Sequence, residues 1–184
     1  MRNQGFTLIE IVVAIAIIGF MAAIVVPNMF GPTASAERKS FIAKVNGLLF
    51  LGWQQALITH KIHMVTFDIA HKKVFLEVIE SVGSDNKPKT TPVKINYQST
   101  SIVWPEQFEM QNFYIEGFDE VKTNMATKTA EKYFFYIMPD GLAQDVTINI
   151  FDTKDILPSG SARPVGLVLN PFSVQLKEYD AFQK

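Results

Sequence analysis

One acid stands where acids are costly. Glu10 lies inside "FTLIEIVVAIAIIGFMAAIVV", the 21 residues from Phe6 to Val26, in which only Thr7 and Glu10 are polar or charged. A charge near the middle of a bilayer costs several kcal/mol, so an ionisable group in such a run is a functional candidate by default. The other residues with chemical potential are sparse. His60 and His63 stand three apart, a spacing that can share a metal, but the chain has three histidines and no cysteine from which to complete a cage. Both are read as solvent-exposed or helix-terminal. Asp140 and Asp145 flank one turn and Asp152 and Asp155 another, without the clustered oxygen ligands of a calcium loop. No G-x-S-x-G, phosphate loop, G-x-G-x-x-G or H-E-x-x-H occurs. The expectation is a chain with no catalytic residues, no metal and no cofactor, and not an enzyme.

Composition narrows the remaining classes. The chain has 184 residues, enough for one domain of ordinary size beyond an N-terminal helix. Its formal charge is −1, and losing Arg2 from the 17 basic residues against 18 acidic ones makes it −2. Near-neutrality argues against a nucleic-acid-binding surface, and Lys87 and Lys89 are read as solvating residues of a polar loop. Without cysteine there is no disulfide and no thiol chemistry.

The elements that must position Glu10 start with the apolar run itself. As a helix, Phe6–Val26 covers about 31 Å, the thickness of a hydrocarbon core. A cleavable signal peptide is one reading: Arg2 supplies a positive start, and "Thr33-Ala34-Ser35-Ala36" ends in an A-x-A-like pattern before Glu37. The run is longer than the usual h-region and contains an acid, which tells against it. A plain anchor helix explains the length and leaves Glu10 unaccounted for. Beyond Pro27, "ERKSFIAKVNGLLFLGWQQALITHKI" turns amphipathic, with Ile42, Val45, Leu49, Trp53 and Ala56 on one face. Thr33 or Ser35 can cap it, and Trp53 is expected to seal the helix against a sheet. A helix from Phe6 to Ile62, even if kinked at Pro27, is about 85 Å long, more than a small domain buries.

From Met64 the pattern becomes that of strands. "HMVTFDI" and "KKVFLEVI" form a hairpin, and Ser81–Pro92 reads as a loop. "VKINYQSTSIVW", "QFEMQNFYIEG", "KYFFYIM", "DVTINIF", "PVGLVLN" and "FSVQLKEY" are short and β-prone. Glu120–Lys132 lacks apolar periodicity and is an exposed loop or a short polar helix. In the aromatic run, Phe134 and Tyr136 share one strand face and Tyr133 and Phe135 the other, which favours a packed strand over a binding platform. Pro139, Asp140 and Gly141 make a turn in which proline presets φ, Asp bonds locally and glycine accepts positive φ. The order is one long helix and then a mainly antiparallel sheet domain: an α+β fold.

"Gly5-Phe6-Thr7-Leu8-Ile9-Glu10", after a short leader with one basic residue, closely resembles the N-terminus of type IV pilins and pseudopilins. The resemblance implies that a prepilin peptidase cuts between Gly5 and Phe6 and methylates the new Phe6 amine, leaving 1–5 as leader. It further implies that Glu10, within the assembly segment carrying Thr7 and Leu8, pairs with the amine of a neighbouring subunit. Pairing relieves two charges that would each be penalised alone in lipid. Pro27 falls where the family has a helix-bending proline. "Tyr133-Phe134-Phe135-Tyr136-Ile137-Met138-Pro139-Asp140-Gly141", followed by "Val146-Thr147-Ile148-Asn149-Ile150", is similar to the F-x-P-x-G-then-strand signature of the GspH/FimT group of minor pseudopilins. That group ends in L-N-P-x-T-G-x-V. The counterpart here, "Leu169-Asn170-Pro171-Phe172-Ser173-Val174", lacks the glycine.

The resemblance implies a pilin-like fold with a transmembrane assembly helix over 6–27, an amphipathic continuation over 28–62 and a periplasmic β-rich domain over 63–184. Arg2 keeps the N-terminus in the cytoplasm, making a single-pass protein of the bacterial inner membrane. The implied function is that of a minor pseudopilin of a type II secretion pseudopilus, at or near its tip. The implied partners are the prepilin peptidase, other minor and major pseudopilins, inner-membrane lipid, and secreted cargo or the outer-membrane secretin, with no nucleic acid. The alternative is a FimT- or FimU-like minor pilin of a type IV pilus or DNA-uptake machine.

Overall fold

The computed structural model describes residues 7–29, 33–82, 88–95, 99–127 and 132–184. It divides into two compact units, 1–37 and 38–184. The first holds α1, Leu8–Met29. Its apolar side chains are exposed throughout the part described, with Leu8 at 82% and Phe20 at 71%. Among the described residues no helix is long and apolar enough to cross a membrane. The side chains of α1 are described as far as Ala23, and those of 24–27, the end of the expected 6–27 span, lie outside the described residues.

The second unit is built on α2, Ala34–Thr59, from Arg38 onward. Thr33 caps it: its hydroxyl accepts the Ala36 N–H at 3.3 Å and its carbonyl the Glu37 N–H at 2.9 Å. At the other end His60 takes φ 53°, the left-handed conformation that closes a helix. The stretch 6–62, expected as one helix, is thus described as α1 and α2. The face bearing Phe41, Ile42, Val45, Leu48, Leu49 and Ala56 is buried. Gly52 belongs to that face because any Cβ there would stand 2.9 Å from methyl groups of Ile137 and Leu76.

Among the described residues ten strands follow, all paired antiparallel. One sheet runs β3 (Pro88–Pro92), β2 (Lys73–Val82), β1 (His63–Asp68), β7 (Lys132–Ile137), with β4 (Ser101–Val103) also on β2. The other runs β10 (Gln175–Tyr179), β9 (Ala162–Asn170), β8 (Val146–Ile156), β5 (Phe108–Ile115), β6 (Phe118–Asp119). The α+β class expected from the sequence is the class observed. Residues of α2 and of both sheets share one apolar cluster. At its centre Trp104 meets Phe41 at 5.4 Å and Phe67 and Phe108 at 6.0 Å, edge to face, and its indole donates to the Phe108 carbonyl at 3.0 Å.

Several expectations are corrected. Trp104, 2% exposed, is the core tryptophan. Trp53, expected to seal α2 against a sheet, is half-buried, packed against the apolar cluster and stacked on Phe50 at 5.7 Å. His63 is buried in β1 rather than exposed, because the β1 register of Val65 and Phe67 in the core leaves no residue of that strand in solvent. The loop expected over Ser81–Pro92 is shorter. β2 continues to Val82 and Pro88–Pro92 forms an edge strand, where its prolines need no ladder partner on the outer side. Residues 83–87 lie outside the described residues. Of the two readings of Glu120–Lys132, a loop or a short polar helix, the helix is the one observed, as α3 over Glu120–Thr127, capped by the Asp119 carboxylate, which accepts the Val121 N–H at 3.2 Å.

The missing glycine of the C-terminal signature has a structural counterpart. Val174 sits at φ 50°, fully buried, where its N–H donates to the Asn170 carbonyl at 2.8 Å. A β-branched residue in that conformation is strained by about 1–2 kcal/mol, which the burial of its side chain, about 1.5–3 kcal/mol, offsets. Val174→Ala loses that burial and keeps the strained backbone, so urea unfolding should show it about 1–3 kcal/mol less stable than the parent. Val174→Gly should lie between the two, an inversion of the ordinary Ala-over-Gly order.

Candidate functional site

Glu10 is the residue to be placed. Gly5 and Phe6 lie outside the described residues, as does the side chain of Pro27 within α1. Thr7 and Glu10 are both described. The Thr7 carbonyl accepts the N–H groups of Glu10 and Ile11 at 3.1 and 3.3 Å, and its hydroxyl oxygen accepts the Glu10 N–H at 3.4 Å. The same hydroxyl donates to a carboxylate oxygen of Glu10 at 3.5 Å. Thr7-x-x-Glu10 therefore has the spacing of a capping box, with threonine at the cap and glutamate three residues on. Negative charge in the first turn is favoured by the helix dipole. Leu8 and Ile9, between them, are exposed at 82% and 67%. Thr-x-x-Glu was legible in the sequence as a helix start. It went unread because the same residues carry the processing motif.

A second set of polar residues secures the sheet domain to α2. Arg38 is 3% exposed. Its Nη1 donates to Asp152 at 2.7 Å and Asp155 at 2.9 Å, and its Nε to Glu178 at 2.6 Å. Asp155 also accepts from Arg163 Nε at 2.7 Å. A register break in β8 makes this possible. Asp152 pairs with Arg163 and Ile156 with Ala162, so 153–155 bulge and Asp155 joins Asp152 at the guanidinium. The amide and hydroxyl of Thr153, in the bulge, both donate to the Gln107 carbonyl, at 2.9 and 3.0 Å. The two aspartates weighed as a turn pair thus face a buried cation. Sequence spacing could have found Arg38, which stands three, four and seven residues before Phe41, Ile42 and Val45 on one helix face.

The charges respond to these surroundings. Burial pulls the Arg38 guanidinium down, and its bonds to Glu178, Asp152 and Asp155 more than reverse this, so it stays charged. The hydrogen bond from Arg38, with that from Arg163, holds the Asp155 carboxyl below the usual carboxylate range. Burial raises Asp68, but hydrogen bonds from Lys132 and His71 outweigh it and hold that carboxyl low too. Burial pushes His63 below its ordinary value, although its Nδ1 lies 3.1 Å from the Lys61 carbonyl.

The turn residues are brought together. Gly141, φ 84°, donates its N–H to the Met138 carbonyl at 2.9 Å, and Asp140 accepts the Leu142 N–H at 3.0 Å. A Cβ at Gly141 would stand 2.8 Å from the Trp53 indole nitrogen. In β7, Tyr133 and Phe135 face the core while Phe134 and Tyr136 face outward. Beside them is a cleft of about 250 Å³ lined by Ile115, Glu120, Lys132, Tyr133 and Gln144 as well.

Residues 1–26 match the family model of the prokaryotic N-terminal methylation motif. Type II secretion system core protein G of Pectobacterium carotovorum is 43% identical over 47 residues, 26% of this chain and 30% of that one. The Escherichia coli K12 protein of the same description is 29% identical over 102 residues, 55% of this chain and 62% of that one. The type IV major pilin PilA of Myxococcus xanthus is 49% identical over 45 residues, 24% of this chain and 20% of that one. The chain thus spans less than two thirds of the length of these relatives. Among solved structures, the minor pseudopilin EpsH of the Vibrio cholerae type 2 secretion system superposes with a TM-score of 0.48 at 10% identity, covering 77% of this chain and 95% of that one.

Two outcomes follow from the ion pairs. Arg38→Leu leaves buried carboxylates without their cation and should cost about 3–5 kcal/mol in urea unfolding of residues 33–184, followed by tryptophan fluorescence. Stability should also fall twice on acidification. Below about pH 6.5 the unfolded chain protonates His63 and the folded one resists. Below about pH 4 the unfolded chain takes up protons that Asp68 and Asp155 refuse until lower pH. His63→Gln should reduce the first decline and keep the second.

Proposed function

We propose that this type IV pilin-like chain is a minor pseudopilin of a type II secretion system, incorporated at or near the tip of a periplasmic pseudopilus that supports protein export across the outer membrane. The observation that carries the proposal is the G-F-T-L-I-E motif opening an apolar helix whose described side chains are exposed. A helix of that kind is retained for lipid or for other helices. The match of residues 1–26 to the methylation motif supports processing between Gly5 and Phe6, and the matches to core protein G support a secretion pseudopilus. In this reading the chain waits in the inner membrane, N-terminus in the cytoplasm and sheet domain in the periplasm. A prepilin peptidase cuts it and methylates Phe6. The Glu10 carboxylate then meets the terminal ammonium of the adjoining pseudopilin, major or minor by the same chemistry. Contact with cargo or the secretin belongs to the sheet domain. The chain acts as an assembly subunit and performs no catalysis.

The match to a type IV pilin supports a second reading, a FimT- or FimU-like minor pilin of a pilus or DNA-uptake machine. Lys177, among Glu178 and Asp180, is poorly placed for phosphate. Mass spectrometry of protein from cells expressing the matching peptidase should find a mature chain beginning at N-methylated Phe6. A chain beginning at Glu37 would instead mean ordinary export. A gel-shift assay on residues 33–184 should find no salt-dependent DNA binding, and clear binding would favour the second reading.

A further inference from the structure

Asn149 raises the question. It is an amide on the outer face of β8, which ought to meet water, yet it is only 1% exposed. What covers it is the segment following β10. The Asn149 side-chain oxygen accepts the Gln183 N–H at 2.9 Å, and its amide nitrogen donates to the Gln183 carbonyl at 2.8 Å. One side chain thus takes both backbone groups of one residue, as a neighbouring strand would. The same amide nitrogen lies 3.4 Å from Asn112 Oδ1 on β5. Phe182 lies on Phe151, ring centroids 5.0 Å apart. The floor is Gly166 of β9: a Cβ there would stand 2.5 Å from the Ala181 carbonyl oxygen and 2.6 Å from Gln183 Cγ. No side chain fits beneath the segment, and Gly166 lies in mid-strand at a position where glycine is otherwise unfavourable.

Within 181–184 the slot reads backbone at Gln183 and an aromatic ring at Phe182, and just before it Asp180 pairs with Arg163 at 3.6 Å. Asp180, Ala181 and Lys184 are exposed, and Phe182 itself remains 40% exposed. A segment held at Gln183 and Phe182, with only the exposed Asp180–Arg163 ion pair at 3.6 Å besides, and lying outside the apolar cluster, belongs to the part of a fold that opens at low free-energy cost. We propose that the slot formed by Asn149, Gly166, Phe151 and Asn112 is a peptide-binding site, occupied in cis by residues 181–184 and open in trans to an extended segment of another polypeptide that carries an aromatic residue immediately before the clasped one. The resident segment shows what fits: extended backbone with both polar groups turned to Asn149, and a ring on Phe151. Occupation in cis makes the segment a competitive strap, so a trans ligand binds less tightly by the fraction of molecules in which the strap is lifted.

The test uses a chain ending at Tyr179 beside the full chain, both in detergent, and a fluorescent peptide Asp-Ala-Phe-Gln-Lys. By anisotropy the shortened chain should bind the peptide and the full chain should bind it at least tenfold more weakly. Asn149→Ala in the shortened chain should abolish binding, as should Phe→Ala in the peptide. A shortened chain that keeps its near-ultraviolet circular dichroism and binds no peptide, or one no better than the full chain, overturns the proposal. Should the shortened chain unfold, hydrogen exchange in the full chain decides. The Gln183 amide should exchange at least tenfold faster than Leu167 in mid-β9, and faster still in Asn149→Ala. Equal protection at the two sites would mean a segment that never lifts, and would overturn the proposal.

Discussion

An apolar helix whose described side chains are exposed is the constraint from which the rest follows. Each large aliphatic side chain left in water forgoes about 1.5–3 kcal/mol, and α1 shows Leu8, Ile9, Ile15, Ile18 and Phe20 all more than half exposed. Such a surface demands lipid or other helices. Placing one carboxylate within it converts that demand into a specific one, because lipid accepts the aliphatic groups and penalises the acid. The Thr7 cap gives Glu10 a local hydrogen-bond partner at the helix start but no opposite charge.

The sheet domain meets a different requirement: a rigid body without disulfides. Its solution is a single apolar cluster shared by α2 and two sheets, with Trp104 at the junction. Polar clamps fix the orientation of the parts. The Arg38 guanidinium matches its carboxylates only when α2 presents one face and β8 carries its bulge at 153–155. Asn46 takes both the N–H and the carbonyl of Leu176, at 2.7 and 3.1 Å, and so closes one site on the open edge of β10. Buried ion pairs add little net stability over apolar packing, so their use here is best understood as fixing register.

What the sequence made legible was whatever has a period or a local motif. Helix α2 was readable from Ile42, Val45, Leu49 and Ala56, the β1–β2 hairpin from alternation, and the 138–141 turn from Pro-Asp-Gly. Contacts made at long range were not. Nothing near Asp155 in the chain announces a bulge, and nothing near Arg38 announces Glu178, 140 residues away. Pro88 and Pro92 argued for a loop because proline is excluded from central strands, and β3 is an edge. The helical period places Trp53 on a face, whereas the burial of Trp104 depends on several elements closing around it and has no signal in the sequence. At the N-terminus, residue identities alone brought out Gly5, Phe6 and Glu10, because they form a contiguous linear motif.

The central claim is that the Glu10 charge is satisfied by a neighbour's amino terminus. The most direct measurement is incorporation of Glu10→Gln into pseudopili in cells, scored by isolating the fibres, alongside secretion of exported protein. The claim predicts a variant that is cleaved before Phe6 and held in the membrane at normal levels, yet absent from fibres and unable to support export. Fibres containing the variant at parental abundance, with export intact, would contradict it.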